Sequence, residues 1–253
     1  MNKLPAKIQN LFYLKEIGLN VPVFFVLDEE KIKKITESVQ ELKSYFNKRK
    51  IENIIIRSAS FSEDGSGLSM AGVFDSSPKT NIEDLNEELL EEYWKRNLKK
   101  AGPNRLFMFV QEFFEADYYG VLFTEDVYDR DGAVLNLSRE AEAVTDGKNI
   151  DIQLRYQKKE NVWQGEGVSG EVLEEAKEII KKVSIRYTSG ADIEIGIKNA
   201  ELRVFQIRPI TRSVNDKILL EEKKRLQEKY GEYFLEQEWE RNSFAQALGR
   251  LDD

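Results

Sequence analysis

The 253-residue chain contains neither cysteine nor histidine, and these two absences exclude several kinds of site. Without cysteine there is no disulfide, no thiolate-bound metal and no cysteine nucleophile, which fits a reducing compartment, and we expect a cytoplasmic protein. Without histidine there is no Ser-His-Asp triad, no histidine-bound zinc and no phosphohistidine formed within these residues. Any phosphohistidine would therefore have to form on another domain or protein.

Concentrated positive charge and long apolar runs are also lacking. The chain has 46 acidic and 38 basic residues, mixed along its length, for a net charge of -8. Nucleic acid is therefore not expected as a partner. The longest apolar run near the start, residues 21–27, is too short to span a membrane, and no signal peptide is evident. With 41% hydrophobic residues, we expect a globular protein that needs no membrane.

The pattern of apolar residues predicts helices and strands along most of the chain. The predicted helices cover residues 6–17, 28–48, 81–100 and 169–187. The predicted strands cover residues 21–27, 53–57, 106–114, 120–124, 133–137 and 150–156. A break at residues 101–104 predicts a lobe boundary. We expect an N-terminal lobe over residues 1–102, a C-terminal lobe over residues 103–213, and a helical tail or linker over residues 214–253.

The clearest chemical signal is a pair of strand-like segments, residues 191–197 and 202–210. We interpret both as alternating polar and apolar residues. This is the pattern of strands with one apolar face and one polar face. The short polar segment between them, residues 198–201, predicts a hairpin.

The register of this hairpin decides which polar residues face each other. We place its centre at Ala200, and opposite residues of an antiparallel pair have position numbers with a constant sum. Glu194 then lies opposite Gln206. Two residues further along, Asp192 lies opposite Arg208. One face would carry two carboxylates, an amide and a guanidinium, which suits a phosphate and metal site; the alternative is a solvated strand surface with one ion pair.

A second signal lies where the apolar strand 53–57 ends in Arg57. The chain then enters a loop rich in small and polar residues, 58–72. Such a loop presents many backbone N–H groups and suits a polyphosphate, although its composition is equally that of a surface linker.

Five groups of residues then follow one another in a consistent order: Lys7 with 17–22, 57–60, 63–64 with 69–72, 110–112 with 120–124, and 192–194 with 206–211. Together they resemble the ATP-binding domain of the phosphoenolpyruvate synthase and pyruvate, phosphate dikinase family, which is also found in rifampin phosphotransferases. The resemblance implies an α+β, ATP-grasp-like fold. Two lobes would enclose a nucleotide cleft, with antiparallel sheets packed with helices.

The resemblance implies ATP and Mg²⁺ as cofactors and assigns one set of residues to the phosphates. Lys7 and Arg57 would reach the ATP phosphates. Gly72 and Ser76 would belong to the loop that covers them. Arg208 would bind the transferring phosphate, so that Lys7, Arg57 and Arg208 form the catalytic set. This fits phosphoryl transfer, where cations placed around the phosphates supply most of the catalysis.

A second set would hold the nucleoside. The resemblance places Gln111, Glu112 and Phe114 on the strand that holds the adenine. Glu142 would bind the ribose or the edge of the adenine. Lys7, Glu112 and Glu142 could instead be ordinary surface charges, and Arg57 a structural ion-pair partner.

The metal would lie on the predicted hairpin. The resemblance assigns Mg²⁺ to Glu194 and Gln206, with Asp192 beside them in the nucleotide site. Mg²⁺ prefers hard oxygen ligands and usually takes only one or two from the protein.

The leading hypothesis is an ATP- and Mg²⁺-binding phosphotransferase domain of dikinase type. It would cleave ATP and pass a phosphoryl or pyrophosphoryl group to a histidine. Because this chain has no histidine, that residue would belong to a phosphocarrier domain, in cis or in trans, which serves a small-molecule acceptor. One alternative is a self-sufficient ATP-grasp kinase or ligase that acts directly on a small molecule or protein. The other is a nonenzymatic nucleotide-binding module.

Overall fold

The computed structural model describes residues 4–61, 76–101, 106–126, 131–141 and 150–210. Within these residues, the chain forms two antiparallel sheets, one of four strands and one of six. Helices pack against both sheets. The two sheets jointly line the cleft that is described below.

The helices and strands have the following bounds. The helices are α1 (Ala6–Glu16), α2 (Glu29–Lys33), α3 (Ile35–Asn47), α4 (Glu87–Ala101) and α5 (Gly170–Ser184). The strands are β1 (Phe24–Leu27), β2 (Asn53–Ser60), β3 (Thr80–Asn81), β4 (Leu106–Glu112), β5 (Tyr118–Phe123), β6 (Gly132–Ser138), β7 (Ile152–Gln157), β8 (Val162–Gln164), β9 (Ala191–Lys198) and β10 (Glu201–Pro209).

The four-stranded sheet has the order β1-β4-β2-β3, and its neighbouring strands are antiparallel. On one face, Ile54 and Met108 belong to a core cluster with Phe46 of α3. Successive side chains of a strand point to opposite faces. The other face of the two central strands therefore carries Arg57 and Gln111.

The six-stranded sheet has the order β10-β9-β5-β6-β7-β8 and is also antiparallel. Its apolar face buries Leu122 and Ile193 against Ile180 of α5. The same alternation turns Asp192 and Glu194 to the opposite face, toward the four-stranded sheet.

Helix α1 contacts both sheets. Its Leu14 is part of the core of the six-stranded sheet. One and two turns earlier, Leu11 and Ile8 lie in a separate cluster with Phe107 and Phe109 of β4. Because one amphipathic helix supplies side chains to both clusters, α1 ties the sheets to each other.

The predicted pairing of the site residues on the hairpin is confirmed. Glu194 lies opposite Gln206, and Asp192 lies opposite Arg208. All four side chains are partly exposed, whereas the residues between them on β9 and β10 are buried. The hairpin therefore presents these four polar groups on one face.

The reason for this register differs from the predicted one. The turn consists of Asn199 and Ala200, both with positive φ (49° and 64°), and near it Val204 lies opposite Ile195. The centre of the hairpin is therefore between the two turn residues. An extra residue, Phe205, forms a β-bulge and shifts the pairing by one position beyond it. The strict alternation expected in β10 was wrong at this point, because Val204 and Phe205 are consecutive apolar residues.

Several predicted elements have different bounds. The helix predicted over residues 28–48 is two helices, since Lys34 adopts non-helical dihedrals (φ −109°, ψ 50°). The strands predicted over residues 106–114 and 120–124 are β4 and β5, and they belong to different sheets. The short strands β3 and β8 were not predicted.

The predicted fold class is confirmed: the protein is α+β, with antiparallel sheets packed with helices and a cleft between the two sheets. The division at residue 102 stays a prediction, although β4, which begins at Leu106, pairs within the first sheet. Gly72, Glu142 and the proposed tail lie outside the described residues. Over the described ranges, no helix is both long enough and apolar enough to cross a membrane.

Candidate functional site

A cleft of about 270 Å³ lies between the two sheets. Its lining combines residues of β2 and β4 with residues of β5, β9 and β10. The predicted site residues that line it are Arg57, Ser76, Gln111, Glu112, Phe114 and Glu194. Residues that are more than 100 positions apart thus meet at one surface, as the prediction of a cleft between two lobes requires.

Glu194 is the centre of a charged group in the cleft. Its Oε2 lies 4.0 Å from Nη2 of Arg57 on the four-stranded sheet, and its Oε1 lies 3.9 Å from Nη2 of Arg208 on β10. The side chains of Glu194 and Arg57 are only 19% and 18% exposed, so water screens their interaction incompletely. Two guanidinium groups from different sheets therefore face one carboxylate at distances too long for direct hydrogen bonds.

Asp192 and Arg208 form the tightest contact of the group. Nε of Arg208 donates to Oδ2 of Asp192 at 2.9 Å. Burial raises the pKa of Asp192, and this effect outweighs the lowering by Arg208. Burial also lowers the pKa of Arg208, but the attraction of Asp192 and Glu194 raises it above its usual value. The guanidinium stays charged, and Asp192 holds its orientation.

The donor set of this hairpin fits Mg²⁺. The second oxygen of Asp192, Oδ1, is buried and has no hydrogen-bond partner within the described residues. Glu194 and the amide oxygen of Gln206 lie on the same face. No group of three or more Asp, Glu, His or Cys side chains that could hold a metal occurs in the described ranges. Carboxylate and amide oxygens on one face suit a cation that takes its remaining ligands from phosphates and water, as Mg²⁺ usually does.

Gln111 supplies a second unpaired polar group to the cleft. Its side chain is almost fully buried, and Oε1 accepts a long hydrogen bond from Nη1 of Arg57 (3.4 Å). Its Nε2 finds no partner among the residues that the structure describes. Because leaving a buried donor unpaired is costly, this amide is a ready hydrogen-bond donor to a ligand.

Glu112 has a role that the sequence did not predict. Its Oε1 accepts from Nη1 of Arg203 on β10 (2.5 Å), and its Oε2 accepts from the backbone N–H of Val23 (3.1 Å). Arg203 also binds Glu201 at 2.8 Å and lies over the ring of Phe114. The carboxylate therefore joins the two sheets, and its assignment to adenine stays a prediction.

Sequence reasoning missed Phe205. The bulge brings its ring into the cleft lining, 6.1 Å from the ring of Phe114. Gly196 makes room for it, because a Cβ there would lie 2.4 Å from Cζ of Phe205. The consecutive apolar pair Val204 and Phe205 was the available signal.

The other predicted site residues that the structure describes do not line the cleft. Lys7 lies in the first turn of α1 and is half-buried, but it is not among the described residues that line the cleft. Asp192, Gln206 and Arg208 lie beside the lining residue Glu194 rather than in the lining itself. The site assignments stay predictions.

Comparisons with known proteins give one distant relative and several solved structures of limited similarity. No protein-family model matches the chain. The chain is 25% identical, over an alignment 287 positions long, to the "uncharacterized phosphotransferase YvkC" of Bacillus subtilis (strain 168); the alignment covers 87% of this chain and 34% of that protein. The chain thus spans about a third of the length of the curated relative that it matches. The phosphoenolpyruvate synthase and dikinase family is not specifically supported.

Among solved structures, the chain is similar to D-alanyl-alanine synthetase A from Vibrio cholerae (TM-score 0.48, 10% identity, 80% of this chain and 54% of that chain). It is also similar to the D-alanine-D-alanine ligase from Helicobacter pylori (TM-score 0.45, 12% identity, 81% and 54%). A third is a peptide-associated ATP-grasp ligase from Chryseobacterium gregarium, solved with ADP (TM-score 0.40, 13% identity, 80% and 51%). At these scores the likeness carries no argument about function.

Proposed function

We propose that the cleft binds ATP with Mg²⁺ and that the chain is an ATP-dependent phosphotransferase or ligase. The observation that carries the proposal is the position of Glu194 between Arg57 and Arg208, which come from different sheets. A polyphosphate bridged to the carboxylate by a cation would satisfy both guanidinium groups. Such fixed charges stabilise the negative oxygens of a phosphoryl group in transfer.

Each residue then has a specific task. Glu194 and Gln206 would hold Mg²⁺, with Asp192 beside them, and the ion would neutralise part of the phosphate charge. Arg57 and Arg208 would pair with phosphate oxygens, because Arg presents a planar set of donors that matches them. The unpaired amide of Gln111 would donate to the nucleotide.

We propose that the phosphoryl group passes directly from ATP to its acceptor. Direct transfer to a small molecule or protein requires no histidine, and the chain contains none. A second form of the proposal is transfer to a histidine of another domain or protein, because the chain itself contains no histidine.

Calorimetric titration with ATP tests the proposal, with and without Mg²⁺. We expect MgATP binding by the unmodified chain that Arg57→Ala and Glu194→Gln each weaken by about tenfold or more. Arg57→Ala removes a cation that pairs with the phosphates, and Glu194→Gln removes a charged ligand of Mg²⁺. Arg49→Ala is the matched control, since Arg49 is exposed and stacks on Tyr45 instead. Equal affinities in all four proteins, or no binding by any of them, would show that the cleft is not the nucleotide site.

The product distinguishes the two forms of transfer. Direct phosphoryl transfer leaves ADP and requires only this chain and its acceptor. The histidine-dependent form leaves AMP when a pyrophosphoryl group moves, and needs the histidine-bearing partner. Nucleotide analysis by phosphorus NMR separates these outcomes. Binding without ATP consumption, even with a histidine-bearing domain present, would point to a nonenzymatic module.

A further inference from the structure

We infer that Asn10 and Tyr187 are positioning residues for the hairpin that carries Gln206 and Arg208. The inference rests on the proposed function of the cleft and adds two residues that do not line it. They act on the main chain of β10 between the two site residues.

The first observation is a long-range hydrogen bond to β10. Nδ2 of Asn10, on α1, donates to the backbone oxygen of Ile207 at 2.9 Å. Ile207 stands between Gln206 and Arg208, and its carbonyl belongs to the peptide that precedes Arg208. Among the described strands, β10 pairs only with β9, so the carbonyl on its outer side depends on α1 for a partner.

The second observation is that the orientation of Asn10 is itself fixed. The hydroxyl of Tyr187 donates to Oδ1 of Asn10 at 2.9 Å. Since the oxygen accepts from Tyr187, the NH₂ group is directed at Ile207. Asn10 is only 6% exposed, and burial raises the pKa of Tyr187, so the hydroxyl stays protonated and remains a donor.

The third observation concerns the helix that carries Asn10. Lys7, which is proposed to reach the phosphates, lies three residues earlier on α1, and such residues share one face of a helix. Ile8 and Leu11 anchor the same turn in a buried cluster. Asn10 therefore fixes the distance between α1 and the strand that carries Arg208.

The contacts of the Arg208 side chain depend on the position of β10, which Asn10 holds. Its Nε bonds to Asp192 at 2.9 Å, while its Nη2 is 3.9 Å from Glu194. A shift of the strand by a few tenths of an ångström would change both contacts. Displacements of about 1 Å can cost about a hundredfold in rate when a group must meet a reacting phosphate.

The test uses two variants with a matched control for each. Tyr187→Phe removes only the hydroxyl, and Asn10→Ala removes the donor to Ile207. Tyr45→Phe removes a tyrosine bond to a backbone carbonyl on the far side of the first sheet. Asn97→Ala removes a buried asparagine that donates to a carbonyl within α4. All four are compared with the unmodified chain.

Two readouts are measured on each protein. The first is the exchange rate of the Arg208 Nε–H signal in NMR spectra, which is identified by its loss in Arg208→Lys. We expect Asn10→Ala and Tyr187→Phe to accelerate this exchange by about tenfold, and the controls to leave it unchanged. The second is the dissociation constant of MgATP, which we expect to rise about three- to tenfold in the same two variants.

An unchanged Nε–H signal in both variants, or the same acceleration in the controls, would overturn the inference. If Asn10→Ala fails to fold, Tyr187→Phe decides alone, because it keeps the ring. If the unmodified chain does not bind MgATP, the proposed function fails. The Nε–H signal still decides whether these residues position Arg208.

Discussion

Asp192 combines two features that rarely occur in one carboxylate. One oxygen forms an ion pair with Arg208, yet the other is buried without a partner in the described part of the chain. Burial raises the pKa of Asp192 by more than the ion pair with Arg208 lowers it. A buried oxygen that is not satisfied by the protein is costly to the folded state, and a bound cation would remove that cost.

The pH dependence of stability should reveal this cost. The pKa of Asp192 is higher in the folded state than in the unfolded state, so protonation of Asp192 stabilises the folded state. This contribution to the free energy of unfolding is complete below the ordinary pKa of 3.8 and is lost as pH rises through the raised pKa. Asp192→Asn has no such loss. We therefore expect the free energy of unfolding of Asp192→Asn to increase relative to that of the unmodified chain as pH rises above 3.8.

Urea unfolding at a series of pH values measures this difference. Asp131→Asn is a control in which the pH dependence has the opposite direction. The hydrogen bond from Lys159 lowers the pKa of Asp131, so the contribution of Asp131 to stability is lost as pH falls. A difference between Asp192→Asn and the unmodified chain that is independent of pH would contradict the prediction.

The residue patterns and the family resemblance together predicted which residues meet at the cleft. Arg57, Gln111 and Glu194 were expected in one cleft, and they line it. The partners of Glu112 could not be predicted, because Arg203 and Val23 reach it only after the chain has folded over distances of about 90 residues. A sequence shows which groups can form an ion pair, but not which of them become neighbours.

At the level of elements, the bulge in β10 decides what the cleft contains. Gly196→Ala tests it, because the new Cβ would lie 2.4 Å from Cζ of Phe205 and 3.1 Å from Cδ1 of Phe114. We expect the Phe205 ring to be displaced and the free energy of unfolding to fall by about 1–3 kcal/mol, as for other overpacked sites.

Chemical unfolding of the unmodified chain and four variants, including Phe205→Leu alone, checks this expectation. Gly170→Ala is the control, since no described atom lies within 4 Å of its added Cβ. Phe205→Leu combined with Gly196→Ala should recover part of the lost stability, because the obstructing ring is gone. A loss of stability in the double variant equal to the sum of the single losses would mean that Phe205 does not cause the conflict.

The pairing predicted for the hairpin is confirmed, although the position of the turn from which it was predicted was wrong. Centring it on Ala200 pairs Glu194 with Gln206, as observed. The turn itself predicts a register shifted by one residue, and the bulge at Phe205 restores the pairing. Bulges depend on packing against neighbouring strands, so a local pattern shows them only as a break in alternation.

At the level of the whole molecule, the contact between Glu112 and Arg203 links the two sheets beside the cleft. Both side chains are at most 20% exposed. A double-mutant cycle with Glu112→Gln and Arg203→Met should give a coupling free energy of about 1–3 kcal/mol. The exposed pair of Lys95 and Glu91 on α4 provides the comparison. Its coupling should stay below about 0.5 kcal/mol.

Urea unfolding of the single and double variants gives both couplings. A Glu112–Arg203 coupling no larger than that of the exposed pair would mean that the contact does not hold the sheets together.

The arrangement of the two sheets could be predicted only in outline. Alternating and apolar runs predicted most of the strands, and the family resemblance implied the α+β class. The break at residues 101–104 indicated a boundary, yet β4 pairs with β1 and β2, which precede it. Strands that follow one another, such as β4 and β5, lie in different sheets. Such partners are chosen by long-range packing, which no local pattern records.

Strand β10 lies at the border of its sheet, where unpaired amide and carbonyl groups can recruit a strand from another molecule. Two groups from the start of the chain occupy this border: the oxygen of Asn20 accepts from the N–H of Val204 (2.8 Å), and the side chain of Asn10 binds the oxygen of Ile207. Helix α1, which carries Asn10, and the nearby Asn20 therefore also prevent a strand of another molecule from pairing with β10. A change that releases α1 would expose this border and promote self-association of the chain.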